Sequence, residues 1–260
     1  MADLGDWEKM TSLLAAQEPL WEPGTVSGYH AVTFGFLAGE IVRKITGQSL
    51  GRFFADEVAG PLGADVHIGL AESDLGRCSE LQAHWFTHDE RALLRERYAA
   101  AHPAMAQALT NPSLKGAEPN DRAWRQAEIP AVNGHATALG LATVLGSLAD
   151  GSERLVRAPT IRAARTGQGR CDDLVLGEPV EFALGYQLSG PEGHFGPEPA
   201  AFGHDGFGGS AACADPQRGM AFAYVMNRMG WGLADDPRKM ALLGALYRSL
   251  GRGTAGAVTA

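Results

Sequence analysis

The chain has 260 residues, of which 45% are hydrophobic and 20% charged, a composition that allows a full globular core and argues against disorder. Its formal net charge of -8 argues against nucleic-acid binding, because the neutralisation of phosphates requires clustered Lys and Arg. No segment reaches the roughly 18 consecutive apolar residues of a membrane span, and the N-terminal sequence MADLGDWEKM lacks the features of a signal peptide. We therefore expect a cytoplasmic protein that binds a small molecule and contacts neither membrane nor nucleic acid.

Four apolar side chains recur at helical spacing early in the chain, namely Phe34, Leu37, Ile41 and Ile45. Because Gly47 follows as a stop, the pattern predicts an amphipathic helix over about 32–46. A second helix is predicted around 53–54, before Pro61. Residues 89–108 are rich in Ala, Leu, Arg and Glu, which favour helix by intrinsic propensity. These helices are expected to form part of a helical lobe.

The middle of the chain contains a predicted loop and a further helix. Residues 111–130 include three prolines and show little periodicity, which is typical of a long surface loop. Ser113-Leu114-Lys115 is expected on the surface of this loop. Thr137 is placed to cap a leucine-lined helix that ends at Gly151.

The last third of the chain predicts an antiparallel sheet. Short apolar segments at 181–188, 210–214 and 220–226 are separated by Gly- and Pro-rich turns, and residues 215–219 join the last two as a hairpin connection. A closing helix then begins with Pro237 in its first turn, after Asp235 or Asp236 as the cap. The face expected to lie on the sheet consists of Met240, Leu243, Tyr247 and Leu250. The tail over 251–260 is expected to fray.

Three cysteines, Cys78, Cys171 and Cys213, form an odd set without Cys-x-x-Cys spacing. This pattern predicts reduced thiols rather than a disulfide framework or a cysteine zinc site. We expect no cofactor.

Three ordered motifs along the chain carry a resemblance to a known family. The first is Pro23-Gly24-Thr25-Val26-Ser27-Gly28-Tyr29-His30-Ala31, continued by Gly39-Glu40-Ile41, Thr46-Gly47-Gln48-Ser49, Phe53 and Gly60-Pro61-Leu62-Gly63. The second is Asn133-Gly134-His135-Ala136-Thr137, and the third is Phe202-Gly203-His204-Asp205-Gly206-Phe207-Gly208-Gly209-Ser210, followed by Asp215-Pro216 and Gly219. In this order they resemble the serine beta-lactamase-related hydrolases, which include class C beta-lactamases, DD-peptidases and family VIII-type carboxylesterases. The resemblance implies a mixed α and β fold with an antiparallel sheet flanked by helices and a helical lobe.

The family chemistry assigns roles to four residues. A serine hydroxyl is a poor nucleophile near neutral pH, so acyl transfer needs a neighbouring base and donors that hold the oxyanion. The family uses a Lys three residues after the Ser together with a Tyr, and the resemblance assigns Tyr29 to that Tyr. A phenol acts as a base at neutral pH only where adjacent cations lower its pKa from about 10. On the oxyanion side, His204 takes the position of the family's Lys, Gly206 keeps the Gly, and the N–H of Phe207 forms one half of the oxyanion hole.

Two departures from the family pattern bear on the substrate. The family's Tyr-x-Asn becomes Tyr29-His30-Ala31, which removes an amide near the substrate and argues against beta-lactam hydrolysis and for ester substrates. His204 is less reliably charged at pH 7 than a Lys, although it can still donate a hydrogen bond.

The nucleophile motif is missing, because no Ser in the 260 residues is followed by Lys at the third position. The family has Ser-x-x-Lys well upstream of the Tyr motif. We therefore expect a single beta-lactamase-like domain over 1–260 that lacks its N-terminal part, with a helical lobe over about 1–150 and a sheet and C-terminal helix over about 174–250. A truncated gene or a mis-assigned start would also explain this pattern.

Such an incomplete domain would expose apolar surface. Each aliphatic side chain left in water forgoes roughly 1.5 to 3 kcal/mol of burial free energy, so a few of them would offset a typical folding stability. The sequence therefore predicts either a homo-oligomer that covers this surface or a marginally stable chain.

A metal site is the remaining alternative. His84 and His88, next to Asp89 and Glu90, have the spacing that holds zinc on a helix. Because neither the Glu of a His-Glu-x-x-His motif nor a third ligand is in view, a solvated helix start is favoured.

The sequence thus predicts hydrolysis of carboxylic esters through an acyl-enzyme, impaired by the missing nucleophile. Tyr29 would be the base, with His204, Gly206 and Phe207 on the oxyanion side and no metal. A non-catalytic binding or remnant domain is the alternative, and a zinc hydrolase that uses the His84 region is a third hypothesis.

Overall fold

The structure, a computed structural model, describes residues 2–112 and 116–255. Ser113, Leu114 and Lys115 of the predicted surface loop, and residues 256–260 of the predicted frayed tail, lie outside the described residues. The chain divides into two compact units, one formed by Met1–Gly140 with Arg170–Val180 and the other by Leu141–Gly169 with Glu181–Ala260. The predicted extents of the helical lobe and of the sheet region stay predictions.

The first unit is mainly helical. Its helices are α1 (Trp7–Ala16), α2 (Phe34–Thr46), α3 (Leu50–Phe54), α4 (Gly60–Leu62), α5 (His88–Ala100), α6 (Pro103–Thr110) and α7 (Arg122–Gln126). Short 3-10 turns lie at Ala2–Gly5, Glu72–Arg77 and Glu118–Asn120, and a π turn lies at Ala55–Ala59. Strands β1 (Val66–Ile68) and β2 (Gly134–Ala136) pair antiparallel, and β3 (Arg170–Asp172) pairs with β4 (Pro179–Glu181).

Helix α2 confirms the predicted helix, but its burial differs from the amphipathic pattern. Gly47, with φ of 74°, ends the helix as expected. The apolar stripe, however, faces solvent: Ile41 is 62% exposed and Ile45 is 78% exposed. The buried face carries Phe36 and Gly39 and packs on α1, where a Cβ at Gly39 would lie 2.5 Å from the Trp7 ring. Close approach of the two helices therefore decides which face is buried.

Two further predictions in this unit need correction. The helix predicted over 89–108 is two helices, because Pro103 starts α6 at a position where its missing N–H leaves no bond unmade. The predicted loop over 111–130 contains α7, and Trp124 and Ile129 belong to the core of the unit. Tertiary burial of these two apolar side chains outweighs the loop-like composition around them.

The second unit contains the antiparallel sheet. Its helices are α8 (Ala138–Gly146, from Leu141 onward), α9 (Ala158–Ala164) and α10 (Pro237–Ala255), and its strands are β5 (Gln187–Leu188), β6 (Phe202–Asp205), β7 (Ala211–Asp215) and β8 (Met220–Tyr224). The four strands are all antiparallel and lie in the order β5-β6-β7-β8. The predicted hairpin over 215–219 is confirmed, since Asp215 Oδ1 accepts the N–H groups of Gln217 and Arg218.

Helices cover both faces of this sheet. Leu243 and Tyr247 of α10 pack with Phe195 and Cys213 on one face, as the sequence predicted for the closing helix. Leu145 of α8, with Ala149 from the turn after this helix, packs with Phe202 and Ala214 on the other face. The predicted sheet flanked by helices is thereby confirmed. Met240 and Leu250 are partly exposed, so only the centre of the predicted α10 face is buried.

Helix α8 has the predicted start and an earlier end. Thr137 Oγ1 accepts the N–H of Gly140 at 3.0 Å, which confirms Thr137 as the cap. The helix ends at Gly146 rather than Gly151. None of the helices that the structure describes is long and apolar enough to cross a lipid bilayer.

Candidate active site

Tyr29 follows the Pro23-Gly24 turn and lies beside a distant segment of its own unit. Ser27 and Asp173 form an isolated parallel bridge, and the N–H of Leu174 donates to the carbonyl oxygen of Ser27 at 3.0 Å. The Ser27 hydroxyl donates to Asp173 Oδ2 at 2.9 Å, and the N–H of Tyr29 donates to Asp173 Oδ1 at 3.0 Å. The backbone at Tyr29 is therefore held by residues more than a hundred positions away.

Asp173 is itself buried and fully engaged. Only 2% of its surface is exposed. Besides Ser27 and Tyr29, its Oδ1 atom accepts the N–H groups of Val175 and Leu176, each at 2.9 Å. Several donors that converge on one carboxylate compensate for its removal from water.

The phenol of Tyr29 is in surroundings that disfavour its ionised form. Burial raises the pKa of Tyr29 above its ordinary value, and the negative charge of Asp173 raises this pKa further. A base at neutral pH would need neighbouring cations that lower the pKa. In the first unit, Tyr29 is therefore a neutral phenol near pH 7, able to donate a hydrogen bond.

Gly28 explains why the motif needs a glycine before the tyrosine. A Cβ at this position would overlap the indole ring of Trp21. His30, after the tyrosine, is exposed, and its Nδ1 atom lies 2.8 Å from the carbonyl oxygen of Gly28. The backbone at Gly28 therefore runs close to the Trp21 indole and to the His30 imidazole.

The oxyanion-side residues lie at the end of β6 in the second unit. His204 pairs with Ala212 across the sheet, stacks against Phe182 with 6.4 Å between ring centroids, and has its Nδ1 atom 2.6 Å from the carbonyl oxygen of Asp205. Because a carbonyl only accepts, Nδ1 carries the proton in this contact.

A glycine turn follows His204. The N–H of Gly206 donates to Ser210 across the turn at 2.6 Å, and the next residue, Phe207, is 59% exposed. Gly208 and Gly209 have φ values of 92° and 112°, a region that residues with a Cβ rarely adopt. The turn therefore presents the backbone of Phe207 beyond the last pair of the β6–β7 ladder.

The loop before α10 and its first turn hold the glycine turn in place. Gly208 exchanges backbone hydrogen bonds with this loop: its N–H donates to Gly232 at 2.9 Å and its carbonyl accepts from Gly230 at 2.7 Å. Arg238 Nη2 donates to the same carbonyl at 3.0 Å. These contacts restrict the conformations open to the turn.

A buried ion pair supports the same end of β6. Lys239 is 1% exposed, and its Nζ donates to Asp205 Oδ2 at 2.9 Å and to the carbonyl of His194 at 3.1 Å. Sequence reasoning missed Lys239, although it lies one helical turn before Leu243, on the face that the sequence predicted to be buried. A charge on that face indicates a buried partner.

Of the two histidines that could have held zinc, His84 contacts the first turn of α5 and His88 is the first residue of that helix. His84 Nε2 lies 3.1 Å from Glu90 Oε2, and Thr87 and Glu90 form a capping box, which confirms the predicted helix start. Among residues 2–112 and 116–255, no group of three or more His, Cys, Asp or Glu side chains is placed to hold a metal ion.

The structure thus brings His204, Gly206 and Phe207 together at one end of β6. Tyr29 lies in the other unit, where Asp173 holds it. Asp173 carries no motif signal. Its only sequence cue is a charged residue immediately before the apolar run Leu174-Val175-Leu176.

Comparisons with known proteins bear on the whole chain. A family model described as Beta-lactamase matches residues 1–246. Esterase/beta-lactamase LipL of Mycobacterium tuberculosis is 34% identical over 236 residues, which are 87% of this chain and 54% of LipL. The chain therefore spans about half the length of this curated relative.

Two solved structures are also similar to this chain over most of its length. A family VIII carboxylesterase is 39% identical with a TM-score of 0.86, over 95% of this chain and 65% of that chain. A penicillin-binding protein homologue from Caulobacter crescentus is 38% identical with a TM-score of 0.81, again over 95% of this chain and 65% of that chain. With the family model matching nearly every residue, this chain belongs to the Beta-lactamase family, as its three motifs indicated.

Proposed function

We propose that this chain provides part of a site that hydrolyses carboxylic esters through an acyl-enzyme. Tyr29 is the proton-transfer residue, and the turn from Gly206 to Phe207 directs a backbone N–H at the developing oxyanion. The observation that carries the proposal is the likeness to a family VIII carboxylesterase over 95% of the chain. The name of LipL, an esterase/beta-lactamase, supports the same reaction class.

The geometry adds detail to these roles. A backbone N–H just beyond a clamped strand end is a preorganised donor, which stabilises an oxyanion more than a mobile one. His204 has its Nδ1 proton directed at Asp205, so we assign it to orientation of this strand end rather than to direct stabilisation of the oxyanion. Tyr29, with its raised pKa, donates a hydrogen bond as a neutral phenol, and a cation beside it would favour its action as a base.

The attacking hydroxyl is the group that these 260 residues do not provide in a Ser-x-x-Lys motif. We therefore expect the 260-residue chain alone to hydrolyse esters slowly. A fusion that adds the Ser-x-x-Lys segment of a carboxylesterase relative is expected to turn esters over faster, because the segment provides the nucleophile and a Lys as its neighbouring base.

The first prediction tests Tyr29 in that fusion. Tyr29→Phe removes only the hydroxyl and is expected to lower kcat for p-nitrophenyl butyrate by about 100-fold or more, since positioned proton transfer contributes at least that much. Tyr98→Phe, the same change on α5, is the matched control and is expected to leave kcat unchanged.

Labelling of serine by a fluorophosphonate probe separates the outcomes. A folded fusion that shows neither turnover nor labelling contradicts the esterase proposal. The absence of Ser-x-x-Lys favours one second candidate, a binding domain without catalysis. That candidate predicts thermal stabilisation by an ester ligand without turnover, and a covalently labelled Ser in the 260-residue chain would contradict it.

A further inference from the structure

Asp173 connects Tyr29 to a rigid turn in the same unit. Its two carboxylate oxygens divide their contacts: Oδ2 accepts the Ser27 hydroxyl, and Oδ1 accepts the N–H of Tyr29. One side chain therefore contacts both ends of the segment from Ser27 to Tyr29.

The carboxylate is fixed from its own side as well. The N–H groups of Val175 and Leu176 donate to Oδ1. Two backbone hydrogen bonds close the turn that follows Asp173. The N–H of Gly177 donates to the carbonyl oxygen of Asp173 at 2.8 Å, and the N–H of Asp173 donates to the carbonyl oxygen of Glu178 at 3.1 Å. Rotation of the Asp173 side chain would break several charge-assisted hydrogen bonds together, so its position is strongly determined.

A second contact restricts the middle of the Tyr29 segment. Gly28 runs against the Trp21 indole so closely that a Cβ would overlap the ring. The Trp21 ring at Gly28 and the Asp173 carboxylate at Ser27 and Tyr29 together restrict the backbone of this segment.

We propose that Asp173 is a positioning residue for Tyr29, whose buried carboxylate fixes the backbone of residues 27–29 and thereby the direction in which the phenol leaves the chain. The catalytic meaning of this role rests on the proposed function, in which Tyr29 transfers a proton. The positioning itself is a property of the first unit. The charge of Asp173 also acts on the phenol, because it raises the pKa of Tyr29 after the larger effect of burial.

Two variants of the 260-residue chain separate hydrogen bonding from charge. Asp173→Ala removes every contact of the carboxylate. It is expected to speed the amide hydrogen exchange of Tyr29 by about tenfold or more, as the loss of a hydrogen bond to a charged group implies. Asp173→Asn keeps an acceptor oxygen but loses the charge, so it is expected to keep most of the exchange protection and to lower the pKa of Tyr29. NMR with labelled tyrosine follows both quantities, and Tyr29→Phe assigns the resonance.

Asp172→Asn is the matched control. Asp172 is the neighbouring residue, exposed on β3, so the same charge is removed without the contacts. Neither the exchange rate nor the pKa of Tyr29 is expected to change. Ser27→Ala, which removes one donor to Asp173 and keeps the carboxylate, is expected to speed exchange less than Asp173→Ala.

Folded variants in which exchange and pKa both match the wild type would overturn the proposal. If Asp173→Ala fails to fold, the other two variants decide. The pKa of Tyr29 must fall in Asp173→Asn, and the amide exchange of Tyr29 must become faster in Ser27→Ala. If neither the pKa nor the exchange rate changes, the proposal is rejected.

Ester turnover by the fusion distinguishes this proposal from the proposed function. Normal ester turnover by the Asp173→Ala fusion overturns the catalytic meaning of the positioning and leaves the esterase role intact. If the fusion hydrolyses no ester while Asp173→Ala speeds the amide hydrogen exchange of Tyr29, the positioning is supported and the esterase role is rejected. If both hold, kcat falls about tenfold in Asp173→Ala with a smaller change in KM, as expected for loss of transition-state geometry.

Discussion

At the scale of single residues, the buried charges Asp173 and Lys239 control the surroundings of the site residues. Each belongs to one unit, and each contacts a segment that the family motifs include: Asp173 holds Tyr29, and Lys239 holds Asp205 next to Gly206. A buried ion pair is weak evidence of net stability, but removal of one partner leaves an uncompensated charge. Lys239 is therefore important for the end of β6.

Replacement of Lys239 by Met tests this role. Lys239→Met is expected to lower the free energy of unfolding by about 3 to 5 kcal/mol, because Asp205 would keep a buried charge without its cation. Urea titration followed by circular dichroism measures the change. Adding Asp205→Asn to this variant is expected to recover part of the loss.

The matched control is Lys9→Met, which breaks the exposed pair of Lys9 with Asp3 and is expected to change stability little. Equal stability of Lys239→Met and wild type would contradict the assigned importance of the pair.

The site residues differ in how far the sequence reveals them. Tyr29, His204 and Gly206 stand in motifs that can be read along the chain. Asp173 and Lys239 act through partners 144 and 34 positions away, so their roles depend on tertiary pairing that no local pattern encodes. The raised pKa of Tyr29 escapes sequence reasoning for the same reason, since burial and the Asp173 charge both come from the fold.

At the scale of elements, α2 shows what periodicity determines. The spacing of its apolar residues and the stop at Gly47 predicted its bounds within two residues at the N-terminal end. The same spacing favoured burial of the stripe that contains Ile41 and Ile45, and the structure buries the face with Phe36 and Gly39 instead. A pattern specifies that a helix forms, whereas the choice of buried face depends on the neighbour it meets.

Gly39 provides a test at this scale. Gly39→Ala adds a methyl group beside the Trp7 ring and Leu50. It is expected to destabilise the chain by about 1 to 3 kcal/mol through overpacking, although Ala is the better helix former.

Gly251→Ala on α10 is the control, because a Cβ there meets no atom within 4 Å in the described part of the chain. A small gain in stability is expected in this case. Thermal unfolding measures both, and a Gly39→Ala chain as stable as Gly251→Ala would contradict the packing of α1 on α2.

At the scale of the whole molecule, the chain has exposed apolar side chains, which favour association, and a net charge of -8, which opposes it. Among the described large apolar residues of the first unit, the most exposed are Trp85, Ile45, Leu139, Ile41 and Leu20. The sequence led us to expect uncovered apolar surface and a homo-oligomer as one way to cover it, and this association stays a prediction. Composition and the ordered motifs were sufficient for the family and fold class. They carried no information on which surface stays exposed, because exposure depends on the packed arrangement of every element.

Self-association can be measured directly. We expect the 27.4 kDa chain to associate most strongly near its pI of about 5.5, where the net charge that keeps molecules apart vanishes. The double variant Ile41→Lys with Ile45→Lys is expected to shift the chain toward the monomer in light scattering coupled to size exclusion.

Leu242→Lys with Leu250→Lys adds the same charge on α10 and is the control. An equal shift in both double variants would assign the effect to charge alone rather than to the exposed stripe of α2.

The pairing of Ser27 with Asp173 also has a consequence during synthesis of the chain. The two residues are 146 positions apart, and a ribosome that adds about 5 to 20 residues per second needs roughly 7 to 30 s to pass from the first to the second. Throughout that interval the nascent Tyr29 segment exists without the carboxylate that fixes it. Its native conformation is therefore acquired only after Asp173 has been synthesised.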